Sequence, residues 1–97
     1  MHMTMRKYRQ IKGTPEDATA WVKKMLMPIL TKSGGLRAYY AVTFDDGMIG
    51  SINVFESEEA ANHANKQVQQ EIGKSGSEML QHVETKVWKV LHEEHAR

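Results

Sequence analysis

Leu36-Arg37-Ala38-Tyr39-Tyr40-Ala41-Val42-Thr43-Phe44, then Asp45-Asp46-Gly47, then Met48-Ile49-Gly50-Ser51-Ile52-Asn53-Val54-Phe55-Glu56, is the stretch that decides the fold. It reads as strand, tight turn and return strand, because β-branched and aromatic residues dominate and Asp46-Gly47 can take φ > 0 at both corners. Ser57-Glu58-Glu59-Ala60 then reads as a helix cap with an acidic first turn. A two-residue turn at Asp46-Gly47 predicts Phe44 opposite Ile49, Val42 opposite Ser51, Tyr40 opposite Asn53 and Ala38 opposite Phe55. One face would carry Leu36, Ala38, Tyr40, Val42 and Phe44 with Ile49 and Phe55. The other would carry Tyr39, Ala41 and Thr43 with Gly50, Ile52 and Val54. An antiparallel sheet wetted on one side shows polar alternation there, and this second face is too apolar for that. The expectation is a homodimer closed through the sheet face. The competing reading is a monomer with an ordinary apolar patch.

Working outward, Thr4 to Ile11 is a candidate first strand ended by Gly13. Thr14-Pro15-Glu16-Asp17 is a helix start, with Thr14 as cap, Pro15 at the first turn and two acids at the positive end of the dipole. Ala18, Trp21, Val22, Met25, Leu26 and Ile29 recur at helical spacing. Pro28 lacks an N–H and should kink that helix or end it near Met27. A second helix is expected from about Glu58 to Ile72, burying Ala61, Ala64, Val68 and Ile72. A short helical turn at Ser77 to Leu80 and a last strand from His82 to His92 complete the chain. The order is β-α-β-β-α-β, and the simplest solution is α+β: a four-stranded antiparallel sheet with both helices on one face. One domain spanning residues 1–97, with an ordered core about 4–92, is expected.

The chain has 97 residues, 40% hydrophobic and 26% charged, the composition of an ordinary globular protein. Lys and Arg number 13 against 12 Asp and Glu, a formal charge of +1, which gives no electrostatic reason to expect nucleic acid or an acidic membrane. The absence of cysteine excludes disulfides, thiolate metal sites and thiol catalysis. The amino terminus lacks a signal-peptide core and no stretch could span a bilayer, so a cytoplasmic, membrane-free protein is expected.

Arg6-Lys7-Tyr8 on the first strand, Gly34-Gly35-Leu36 with Tyr39-Tyr40 opening the second, and Gly50-Ser51-Ile52-Asn53-Val54-Phe55-Glu56-Ser57 leading into Glu58-Glu59-Ala60 carry a family likeness. The chain resembles the dimeric α+β barrel superfamily, in its antibiotic-biosynthesis-monooxygenase-like branch, over roughly Met5 to Leu91. That resemblance implies a ferredoxin-like protomer, a barrel-forming dimer and room for a cavity between the sheet and its helices. Members include cofactor-independent oxygenases of aromatic polyketides, haem-degrading enzymes, isomerases and small proteins of unassigned role. The haem-degrading members use an Asn–Trp–His trio that cannot be placed here in order, and no cofactor or metal is expected.

Candidate pocket residues are Tyr40, Asn53, Tyr8, Arg6, Trp88 and His82. Tyr40 and Asn53, as cross-strand partners, would set a phenol and an amide together in an apolar cavity able to hydrogen-bond a substrate oxyanion. Alternatively, Asn53 simply satisfies the Tyr40 hydroxyl in the core. Arg6 shares a face with Tyr8 and either orients a carboxylate or enolate or makes a surface ion pair. Trp88 lines a cavity or an interface, and Trp21 belongs to the core. His82 alone among the five histidines has a route into a cavity; His63 faces solvent, and His2, His92 and His95 lie near the ends and are expected to be mobile. Two functions follow: a monooxygenase-like, cofactor-independent oxidation of a small aromatic or polycyclic substrate, or a non-catalytic ligand-binding or stress-related dimer. RNA binding, suggested by the same element order, fails because Met48 to Phe55 lacks the spaced aromatics and surrounding cations.

Overall fold

A computed structural model describes residues 1–96. In chain order the elements are β1 (His2–Gln10), α1 (Pro15–Trp21), a π-helical segment (Val22–Leu26), α2 (Met27–Lys32), β2 (Leu36–Thr43), β3 (Ile49–Phe55), α3 (Glu58–Glu71), a second π-helical segment (Ile72–Gly76) and β4 (Leu80–Lys89). The strands form one antiparallel sheet in the order β2-β3-β1-β4. This is the expected ferredoxin-like α+β arrangement, and no helix is long and apolar enough to cross a membrane among the described residues.

Both helical starts form as their sequences dictate. Thr14 accepts from the Asp17 amide at 3.2 Å while the Asp17 carboxylate accepts from the Thr14 amide at 2.9 Å, a reciprocal box that satisfies two orphan donors. Ser57 accepts from the Ala60 amide at 3.1 Å. Of the two outcomes expected at Pro28, the end near Met27 does not occur. Instead the helix widens into a π-segment just before Pro28, and the Met27 amide donates to Val22 five residues back. That widening accommodates a ring that would clash with the carbonyl four residues earlier in a regular helix. Strand limits move too: β1 begins at His2 and β4 runs from Leu80 only to Lys89.

The larger correction is the hairpin register. Its loop has three residues, Asp45, Asp46 and Gly47, with the Phe44 amide donating to the Met48 carbonyl at 2.7 Å and Gly47 at φ +82°. The left-handed final residue is the signature of the three-residue hairpin, where glycine costs least. The added loop residue slips β2 by one against β3. Tyr39 therefore pairs with Asn53 and Tyr40 with Ile52. Because side chains alternate, the slip turns β2 from Ala38 to Thr43 to the opposite face from that expected, while an irregularity between Leu36 and Ala38 leaves Leu36 opposite Phe55.

On the helix-covered face, Thr4, Arg6 and Tyr8 of β1 lie beside Ser51, Asn53 and Phe55 of β3, all buried. Leu26 and Leu30 from the first helical run and Ala61, Ala64 and Val68 from α3 close over them. On the open face stand Met3 and Met5, Ile52 and Val54, Tyr40 and Val42, with Trp88 opposite Met3. Gly50 belongs to this side, and a methyl group there would lie 1.9 Å from the Arg6 carbonyl oxygen. Close strand approach is what that glycine permits.

A cavity beside a buried arginine

A cavity of about 270 Å³ lies between the helix-covered face of the sheet and α1. Its depth is set by buried Arg6, Tyr8, Ser51 and Leu26, and its rim by exposed Pro15, Ala41 and Thr43. All four strands contribute: Arg6 and Tyr8 from β1, Tyr39, Ala41 and Thr43 from β2, Ile49 and Ser51 from β3, and Leu80 from β4. The small side chains Ala18 and Ala41 leave the space, and Val22 and Leu26 make its helical wall apolar.

Arg6 is 1% exposed, so it makes no surface ion pair. Its Nη1 donates to Asn65 Oδ1 at 2.6 Å and its Nη2 to Asn53 Oδ1. Among the described residues no carboxylate lies within 4.0 Å of it. Burial pulls its pKa below the ordinary arginine value, with the Tyr8 and Tyr39 phenols opposing that shift. A guanidinium nonetheless keeps its proton in a protein. The result is a charged group deep in the core, held by two neutral amides.

Burial pushes the Tyr8 phenol up to about 12, against the opposing pull of Arg6. Its hydroxyl feels the guanidinium charge but is buried without a hydrogen bond of good geometry. Burial raises the Tyr39 phenol as well, opposed by Arg6 and by the Ser51 hydroxyl. Both phenols are therefore neutral at physiological pH, and neither supplies a counter-charge.

The six expected pocket residues separate. Arg6 and Tyr8 line the cavity, and Asn53 supports it from the core without lining it. Tyr40 does not: it is 58% exposed on the open face, and the expected Tyr40–Asn53 pair is replaced by Tyr39–Asn53. Trp88 is 42% exposed, also on the open face. His82 packs edge-on against Tyr8, ring centroids 5.8 Å apart, and borders a second cavity of about 310 Å³ near Gln69, Ile72 and Ser77. A bulge at Lys7/Tyr8 in the β1–β4 pairing places it opposite Tyr8. His2 lies in β1 with Nε2 3.2 Å from Glu58, rather than in a loose end. Among the described residues no cluster of His, Asp and Glu could hold a metal. Tyr39, Ser51 and Asn65 were not anticipated. The first two follow from the register, and Asn65 lies three and four residues from buried Val68 and Ala61 on α3.

No protein-family model matches the chain, and no curated protein matches it. Solved structures do. HapK from Hahella chejuensis superposes with a TM-score of 0.75 at 13% identity, covering 100% of this chain and 99% of that one. A dimeric ferredoxin-like protein from an uncultured marine organism gives 0.70 at 12% identity, covering 99% and 100%. SnoaB, a cofactor-independent oxygenase from Streptomyces nogalater, gives 0.67 at 10% identity, covering 95% of each chain. Likeness at these identities establishes a shared fold over nearly the whole length, the fold the sequence resemblance implies.

Proposed function

We propose that this chain is a homodimeric, monooxygenase-like protein whose cavity between the sheet and α1 takes a small aromatic molecule and oxidises it with dioxygen and no cofactor. The observation that carries the reading is the cavity itself: apolar walls from Val22, Leu26 and Ile49, with the polar side chains of Arg6, Tyr8 and Ser51 gathered at its depth. Sites for small molecules have this make-up. At about 270 Å³ it falls just under the ~300–1,000 Å³ of drug-sized pockets, which suits one or two fused rings rather than a longer polycycle. In the reaction, a ring C–H of a hydroxyarene becomes a second carbonyl. One oxygen atom of dioxygen enters the product quinone, and the other leaves as water with the two hydrogens lost by the substrate.

The dimer part of the reading rests on the open face. Tyr40 and Trp88 are 58% and 42% exposed there, beside partly buried Val42, Ile52 and Val54. Covering such a face recovers ~25 cal/mol per Å² of apolar surface. The dimeric ferredoxin-like protein of the same fold adds support.

A second reading, ligand binding without catalysis, is favoured by the raised phenols, which make poor bases near neutrality. Dioxygen uptake with a panel of naphthols and dihydroxynaphthalenes separates the two. Uptake of one dioxygen per quinone formed, lost when Ala18→Trp fills the cavity, is the expected result. Saturable binding with no uptake across the panel would replace the oxygenase by the binding protein.

A further inference from the structure

Burying a cation without a counter-charge is costly, and proteins normally pair such a group with a carboxylate. Here Arg6 has five N–H donors, and Asn53 and Asn65 engage two of them with neutral amide oxygens. The Asn53 Nδ2 and the Tyr8 hydroxyl are buried with no partner of their own. Among the described residues, the polar groups that engage or adjoin the guanidinium are thus uncharged, and the Asn53 Nδ2 and the Tyr8 hydroxyl remain unsatisfied. In a low-dielectric cavity the positive potential is weakly screened, so an anion placed there gains far more than it would at the surface.

The aperture is compatible with this. The rim at Pro15, Ala41 and Thr43 carries no acidic side chain, and Ala18, Val22 and Leu26 would hold an apolar body while its polar end points inward. Tyr8 and Tyr39, kept protonated by burial, are donors that an oxyanion can use.

We infer that the cavity selects ligands with a flat apolar body and one anionic oxygen group, a carboxylate or an ionised phenol, seated on Arg6 with Tyr8 donating beside it. This rests on the cavity being the ligand site, and it adds the chemical class of ligand. For a hydroxyarene the consequence is direct: the cation lowers the pKa of the bound hydroxyl, and the electron-rich phenolate is the form that reacts with dioxygen.

Calorimetric titration with α-naphthoate and with its neutral counterpart α-naphthylmethanol, at neutral pH, tests the inference. The carboxylate should bind about tenfold more tightly or better, the scale of a charge-assisted hydrogen bond. Arg6→Met should remove that preference, and Arg6→Lys should keep much of it. Arg6→Met leaves the Asn53 and Asn65 oxygens without their donor, so its folding is checked by circular dichroism, and the acid-against-alcohol comparison on the unaltered protein decides the inference if that variant does not fold. Equal binding of acid and alcohol to the unaltered protein, or a preference that survives Arg6→Met, would overturn the anion inference and leave the cavity as a ligand site. Failure of both probes to bind would overturn both.

Discussion

Arg6 donates from Nη2 to the side-chain oxygen of Asn53 inside the core, a cation from β1 and an amide from the adjacent β3 with no acid between them. Among the described residues the Asn53 Nδ2 finds no acceptor, so its side-chain oxygen is the atom that makes a hydrogen bond. Asn53→Ala should therefore cost ~1–3 kcal/mol in urea unfolding, the penalty of leaving a buried charged donor short of an acceptor. In an Arg6→Met background the same substitution should cost clearly less, and additive losses in this double-mutant cycle would show that the pair is not coupled.

Asn53→Asp asks the opposite question. A carboxylate at this position neutralises the guanidinium from within, so α-naphthoate should bind about tenfold more weakly than to the unaltered chain. Binding of α-naphthylmethanol should change little. Titration calorimetry on both probes reads the difference.

The phenols predict an alkaline limb of stability. The folded state holds the Tyr8 proton more tightly than the unfolded chain, whose phenols titrate near 10. Its contribution is complete below that pH and is lost as pH rises through about 12. One pKa unit corresponds to ~1.4 kcal/mol, so the loss attributable to Tyr8 is roughly 2–3 kcal/mol. Denaturant unfolding across this window should fall steeply for the natural chain and more gently for Tyr8→Phe. Identical slopes would mean that the hydroxyl is not buried.

Gly50 is a stability test independent of ligand. An added methyl group would meet the Arg6 carbonyl oxygen at 1.9 Å and the Phe44 ring at 2.9 Å. Gly50→Ala should lower stability by at least ~1–3 kcal/mol through forced separation of β1 and β3, read as a drop in the urea midpoint.

The open face gives the oligomer prediction. Tyr40→Arg places a charge among Val42, Ile52 and Val54 and should yield a folded monomer by light scattering, where the natural chain should be a dimer at micromolar concentration. Monomeric natural chain would refute the homodimer.

The order of elements, the caps at Thr14 and Ser57 and the buried stripe of α3 were all legible in the sequence, because each is a local signal. The hairpin faces were not. Asp45-Asp46-Gly47 is compatible with a two-residue or a three-residue loop, and one residue decides whether Tyr39 or Tyr40 meets Asn53. Lys7 and the Met48 amide, which both engage the Asp46 carboxylate, help fix the longer loop, and β1 supplies the first of these only after the sheet assembles. Arg6 was misjudged for a related reason. Composition makes a surface ion pair the common fate of an arginine, and only the pairing of β1 with β3 shows it beneath the helices. The correction moves Tyr40 out to the open face and strengthens the case for a partner there. It also sets Tyr39 in the cavity with Arg6.

The proposed oxidation and the anion preference both require a small aromatic molecule to bind in the cavity beside Arg6. Amide chemical shifts of the isotope-labelled protein, followed by NMR during titration with α-naphthol, test this directly. Saturable changes centred on Arg6, Tyr8, Ala18, Thr19, Ala41 and Ser51 are expected. Changes centred on Tyr40, Ile52 and Trp88, or none at millimolar α-naphthol, would contradict binding there.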